Sequence, residues 1–310
     1  MTVTNKPFKY PGGCTVALGT FDGVHLGHRA VINTAIGLGL PVVVVTFAQN
    51  PQNILGETRK QRIMPLEYAD STFKALGVSA VIRLDFSEIK DMSPDEYLTM
   101  LTESIGAENI VFGYNFRFGK SAAGNADTAR RFCRDRNIGI RICDAVTVGG
   151  DVVSSTRIRA LIESGDMCGA AQLLGEPFTI YGEICHGDER GRTMGFPTVN
   201  QHFSPDDLLP KFGVYASAVS LDGHRYKAVT NVGIRPTFRT ANATAETNII
   251  GYSGDLYGRT VSVQLLKYIR GEIKFDSLSE LEAQIKRDIA ASQAFDAACG
   301  QRSAGDVTRP

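Results

Sequence analysis

The chain has 310 residues, more than a single hydrophobic core usually serves, so two domains are expected. Its 33 basic and 33 acidic side chains cancel, which removes the overall positive field that draws in nucleic acid and leaves small molecules as the expected partners. No window approaches the roughly 20 apolar residues of a membrane span and the N-terminus has no apolar leader, so a cytoplasmic protein with no membrane partner is expected. Six cysteines (Cys14, Cys133, Cys143, Cys168, Cys185 and Cys299) are scattered without Cys-x-x-Cys pairs or zinc spacing, and they read as reduced thiols.

The first half alternates strand-like and helix-like segments, the rhythm of a parallel α/β sheet. Strands are predicted at Thr15–Leu18, Val42–Phe47, Ala80–Leu84, Asn109–Phe112 and Ile138–Ile142. Helices are predicted from about Arg29, at Pro65–Leu76, Pro94–Ser104 and Ala126–Arg136, and after Ser155, with Thr156 as N-cap. Around Leu174–Phe178 this rhythm stops, which places a domain boundary between residues 177 and 178. Short β-rich pieces follow at Thr179–Ile184, Gly213–Ser220, Arg225–Asn231, Ala245–Gly251 and Val261–Tyr268, the pattern of an antiparallel β-barrel. A helix at Ser279–Ala290, apolar at Leu281, Ile285 and Ile289, closes this part, and the last ten residues are expected to lack regular structure.

The segment Val16–His28 carries the most chemical information. An apolar strand runs into a glycine-spaced turn with two histidines, so Gly19–Gly27 falls where backbone N–H groups and a helix N-terminus favour phosphate. His25 and His28 are three apart, which puts both rings on one face of a first helical turn. Each can donate to phosphate oxygens and, if protonated, offset charge during phosphoryl transfer.

The string Phe21-Asp22-Gly23-x-His25-x-Gly27-His28 resembles the first signature of the His-x-Gly-His nucleotidyltransferases. Within them the chain is most similar to the bifunctional bacterial riboflavin kinase/FMN adenylyltransferase (FAD synthetase) family. Gly113-Tyr-Asn-Phe-Arg-Phe-Gly119 and Ser154-Ser-Thr-Arg-Ile-Arg159 match further strings of that family, in order. The resemblance implies a Rossmann-like nucleotidyltransferase domain over residues 1–177 and a barrel riboflavin kinase domain over 178–305. The first would join FMN to ATP to make FAD, with His25 and His28 holding the reacting phosphates and Gly19, Phe21, Asp22 and Gly27 packing close to nucleotide. Ser155, Thr156 and Arg157 suit the leaving pyrophosphate, while Asn115, Phe116 and Arg117 would border the flavin or adenine, Phe116 or Phe118 offering a ring face.

In the second half, the loop His186–Gly195 leads into Pro197-Thr198-Val199-Asn200, which resembles the Pro-Thr-Ala-Asn motif of riboflavin kinases. Gly187, Arg192 and Gly195 would lie along ATP phosphates, with Arg190 an alternative source of charge. Pro197 and Arg270 fall in matching segments. Thr198 and Asn200 would bring hard oxygen donors toward the magnesium ion of ATP. Glu246 matches the family's catalytic base. The implied ligands are thus ATP, Mg2+, riboflavin, FMN and FAD. Two positions depart from the family pattern, Asn50 and Asn248, where histidines are usual. Two alternatives stand beside the bifunctional enzyme: a riboflavin kinase with an impaired first domain, and a flavin-binding regulator without activity.

Overall fold

Runs of β-branched residues build the first sheet. A computed structural model of the chain describes residues 1–56, 59–186, 195–236 and 241–295. Strands β1 (Thr2–Thr4), β2 (Cys14–Leu18), β3 (Val42–Phe47), β4 (Ala80–Leu84), β5 (Ala107–Gly113) and β6 (Gly139–Cys143) form a six-stranded sheet ordered β1-β4-β3-β2-β5-β6, parallel throughout. β2 and β4 are buried at every position, as expected of strands covered on both faces by crossover helices. Those connections carry helices α1 (Leu26–Ile36), α2 (Pro51–Leu55), α3 (Leu66–Ala75), α4 (Phe86–Ile89), α5 (Pro94–Thr99) and α6 (Ala126–Arg136). A small hairpin of β7 (Thr147–Val148) and β8 (Asp151–Val152) follows. The core beneath the sheet gathers Val16, Leu18, Ile82, Leu98, Leu101, Ile110, Phe112 and Phe132.

The strand order reverses direction at β2, between β3 and β5. In open parallel sheets, ligands settle outside the carboxyl ends of the strands at such a switch point. The chain leaving β2 is the glycine-histidine turn and the chain leaving β5 is Tyr114–Gly119, so topology alone nominates the two strings that the sequence singles out.

Two compact units divide at Val153/Ser154, the second also taking in Gln61–Pro65. The second opens with helices α7 (Ser155–Ser164) and α8 (Met167–Leu174), which pack on each other. Its strands β9 (Thr179–Glu183), β10 (Val199–His202), β11 (Gly213–Leu221), β12 (His224–Pro236), β13 (Ala241–Ile249) and β14 (Thr260–Arg270) form a sheet ordered β10-β13-β12-β11-β14-β9, antiparallel throughout. Its two ends meet through a bridge in which the Cys185 N–H donates to the Asn200 carbonyl at 2.8 Å, so the sheet is a nearly closed barrel. The interior holds a buried hydroxyl chain, Ser217 to Thr230 at 2.8 Å and Thr230 to Thr247 at 2.9 Å. Helix α9 (Leu278–Ala294) follows the last strand.

Four expectations are corrected. α1 begins at Leu26 rather than near Arg29, because His25 caps it. α7 is capped by Ser154, whose Oγ accepts from the Arg157 N–H at 3.3 Å, rather than by Thr156. The helix expected over Pro94–Ser104 is α-helical only to Thr99, and a π-helical turn continues over Met100–Ser104. Cys168 is disulfide-bonded, whereas Cys14, Cys133, Cys143 and Cys185 are free thiols. No helix among the described residues is long and apolar enough to cross a membrane. The last ten residues lie outside the described residues.

Two candidate active sites

The first site is built by the turn after β2. Phe21 and Val24 hold positive φ, +49° and +40°, and both are buried. A left-handed backbone is costly for a β-branched residue such as Val24, and persists only where the surroundings over-determine it. Here the strained turn delivers His25 to the N-cap of α1. His25 Nδ1 accepts the backbone N–H of His28 at 3.3 Å, so its proton sits on Nε2, which is left as a donor. The His25 and His28 rings stack at 3.6 Å and 17°, and Phe21 meets His28 edge-on at 5.2 Å.

Burial pushes His25 down to about 4. Burial, then the neighbouring His25, hold His28 well below the ordinary histidine value. Both rings are therefore neutral near pH 7. In this environment they act as neutral hydrogen-bonding groups; the charge-offsetting role that the sequence allows for protonated rings requires a bound phosphate to raise these values. The buried Nδ1 of His28 has no hydrogen-bond partner among the described residues, which suits an atom reserved for a ligand or for water. Gly27 leaves room for this stack, since a Cβ there would stand 3.1 Å from His25 Cε1. The Gly19 N–H donates to the Val45 carbonyl at 3.3 Å, and Asp22 is half-buried in the turn.

At the end of β5, Asn115 and Arg117 are exposed and Phe116 is half-buried. Phe118 belongs to the core, stacked on Tyr97 at 5.5 Å, so of the two rings only Phe116 can offer a face. Ser155, Thr156 and Arg157 form the first turn of α7, at the positive end of its helix dipole, with the Arg157 N–H already held by the Ser154 cap. Asn50, at one of the unusual positions, caps α2 by accepting the Gln52 N–H at 3.0 Å.

The second site lies on the barrel face of β12 and β13. Residues directly opposite one another on paired strands share a face. The register sets Asn231, Glu246 and Asn200 in one row, and Thr198 follows two residues before Asn200 on the same side. Glu246, Asn231, Asn248, Thr198 and Arg270 line a cavity of about 370 Å³. Its apolar wall comes from Phe196, Val214, Val229, Phe275 and the α9 residues Leu281, Ile285 and Ile289. The apolar stripe read from the sequence of α9 thus walls a cavity. A neighbouring cavity of about 490 Å³ is lined by Thr198, Pro197, Thr247, Ile249, Tyr252, Asp255 and Tyr257. Tyr257 stacks on His186 at 3.8 Å.

Thr198 is the hydroxyl shared by both cavities. Neither its side chain nor that of Asn200 makes a hydrogen bond among the described residues, and of the two only the Thr198 hydroxyl faces the cavities. Asn200 is nearly buried and lines neither cavity. Gly195 takes φ +79° in the turn entering this segment. Gly187, Arg190 and Arg192 lie outside the described residues. Arg270 faces the cavity, yet its guanidinium forks onto Asp288 at 2.7 and 3.1 Å. Gln284 completes the carboxylate's hydrogen bonding at 2.8 Å. The sequence reading missed Asp288, although a lone acid within the apolar stripe of α9 was the available signal.

The parallel α/β unit with its glycine-histidine turn at the switch point, followed by a nearly closed antiparallel barrel with two adjacent cavities, fits a two-domain transferase acting on nucleotides. The family model described as FAD synthetase matches residues 8–157, and the one described as riboflavin kinase matches residues 174–295. The chain is 34% identical over 288 residues to the bifunctional riboflavin kinase/FMN adenylyltransferase of Listeria monocytogenes, covering 90% of this chain and 91% of that protein. To the protein of the same name from Bacillus subtilis it is 35% identical, covering 88% and 89%. A solved structure described as a macrolide-efflux protein from Streptococcus pneumoniae superposes with a TM-score of 0.86 at 31% identity, over 95% of this chain and 99% of that one. The chain belongs to the bifunctional riboflavin kinase/FMN adenylyltransferase family. It is an enzyme of flavin cofactor synthesis that phosphorylates riboflavin to FMN and adenylylates FMN to FAD.

Proposed function

We propose that the two reactions run at separate sites, with FMN made in the barrel cavity of the second unit and FAD made at the carboxyl end of the parallel sheet. The observation that carries this is the Thr198 hydroxyl at the wall between two cavities, on the face that also presents Glu246. The apolar wall from Val229 to Ile289 suits a flat flavin ring, and the neighbouring cavity suits ATP. The primary alcohol of riboflavin attacks the γ-phosphorus, its proton passes to the Glu246 carboxylate, and ADP leaves. Thr198 and Asn200 would hold Mg2+, which offsets charge on the phosphates when bound. Pro197 and Gly195 shape that segment, Gly187 and Arg192 serve the phosphates, and Arg270, held by Asp288, closes the flavin end.

In the first site a phosphate oxygen of FMN attacks the α-phosphorus of ATP and pyrophosphate leaves. The attacking group is already anionic, so the protein has only to align and stabilise. His25 donates through Nε2–H, His28 stands beside it, and Gly19, Phe21, Asp22 and Gly27 form the nucleotide cradle. Asn115, Phe116 and Arg117 border the flavin, while Ser155, Thr156 and Arg157 receive the pyrophosphate. We assign residues 1–177 to adenylyl transfer and 178–305 to phosphoryl transfer, with riboflavin, FMN, FAD and ATP as partners rather than nucleic acid or membrane, and the cytoplasm as the location. The FAD synthetase match running to residue 157 supports assigning the start of α7 to the first reaction.

Riboflavin-to-FMN conversion titrated with Mg2+ tests the metal assignment. Thr198→Ala should need about tenfold more Mg2+ for half-maximal rate, the effect of a lost ligand of roughly 1.4 kcal/mol. An unchanged Mg2+ requirement would contradict it.

A further inference from the structure

The backbone ladder between β10 and β13 ends where Val199 stands opposite Thr247. One step further in the same register brings Thr198 opposite Asn248. There the Asn248 side chain takes over, its Nδ2 donating to the Pro197 carbonyl at 2.8 Å. Proline has no N–H, so its carbonyl is the one backbone group by which Pro197 can be held through hydrogen bonding. Asn248 and Glu246 are two apart on one strand and face the same way, and both line the cavity with Thr198.

We infer that Asn248 is a positioning residue for phosphoryl transfer. Its amide extends the ladder one step past the last backbone pair and fixes the Pro197–Thr198 peptide against the strand that carries Glu246. The spacing between the hydroxyl at the phosphate end and the carboxylate at the alcohol end then depends on one side-chain hydrogen bond. The inference rests on assigning Thr198 to the magnesium–ATP end of the kinase site.

Asn248→Asp keeps the shape but replaces the donor with an acceptor facing a carbonyl. Asn248→His restores an N–H donor. Steady-state riboflavin phosphorylation by the full-length chain, with Thr198→Ala in parallel, separates the cases. For Asn248→Asp the KM for magnesium–ATP should rise about tenfold, equivalent to roughly 1.4 kcal/mol. FAD formation from supplied FMN should be unchanged, and Asn248→His should return KM to within about threefold of the parent. An Asn248→Asp enzyme with parental KM, beside an impaired Thr198→Ala enzyme, would overturn the tether. So would a loss in kcat alone that histidine does not restore, the mark of a general structural role. A Thr198→Ala enzyme with parental KM would overturn the Thr198 assignment and the inference with it.

Discussion

His25 shows how a backbone hydrogen bond can choose a tautomer. By accepting the His28 N–H on Nδ1 it keeps its proton on Nε2, and burial keeps the ring neutral. Its folded-state value lies below the unfolded one of about 6.5, so the unfolded chain binds more protons between these two values. Stability from this group is therefore complete above pH 6.5 and is lost as pH falls toward 4, by about 3 kcal/mol in all. Unfolding of the first unit in urea should show a falling midpoint from pH 7 to pH 4.5, and His25→Asn should flatten that slope. Gly27→Ala, which presses a Cβ on the His25 ring, should slow FAD formation by about tenfold or more and leave FMN formation alone. These residues were legible from spacing alone. The strained backbone at Phe21 and Val24 was not, because nothing in Phe-Asp-Gly-Val announces two positive φ values outside glycine. Nor was the capping role of Asn50, a position where the family resemblance leads one to expect histidine.

Strands β2 to β6 were readable to within about two residues, since continuous valine and isoleucine runs bounded by glycine leave few alternatives. β1 was missed because three residues beside a lysine-proline segment carry no period, and α8 because Met-Cys-Gly-Ala-Ala-Gln-Leu-Leu is apolar nearly all round. α9 was read as a lid on the barrel, but its stripe walls the cavity and includes Asp288, 3% exposed, paired with Arg270. Such a pair costs desolvation to bury, and removing one partner strands the other charge. Asp288→Ala should destabilise the second unit by about 3–5 kcal/mol, seen as an earlier urea transition. Replacing both, Arg270→Met with Asp288→Leu, should recover most of that loss, and a double variant as unstable as the single one would contradict the account of this pair.

The chain folds into two compact units, a parallel α/β sheet and a nearly closed barrel, with one reaction proposed for each fold. A parallel sheet with a switch point suits binding phosphates against strand ends and a helix N-terminus. A barrel with a helix along its mouth suits enclosing a flat ring, and its paired strands place a carboxylate and a hydroxyl in adjacent rows. Order along the chain was legible because the motifs follow one another as the family's do. Side-chain pairings across strands, such as Asn248 with Pro197, were not, because they depend on a register that no local pattern sets. The central claim is that the sites work independently. It is tested most directly by chromatography of the flavins formed by Glu246→Gln and His28→Ala, each supplied with ATP and Mg2+ and with either riboflavin or FMN. Glu246→Gln should lose FMN formation by about 10²–10⁴-fold and still convert FMN to FAD. His28→Ala should stop at FMN from riboflavin, its FAD formation falling by about a hundredfold or more. If either variant lost both activities in equal measure while remaining folded, the separation of the two sites would be contradicted.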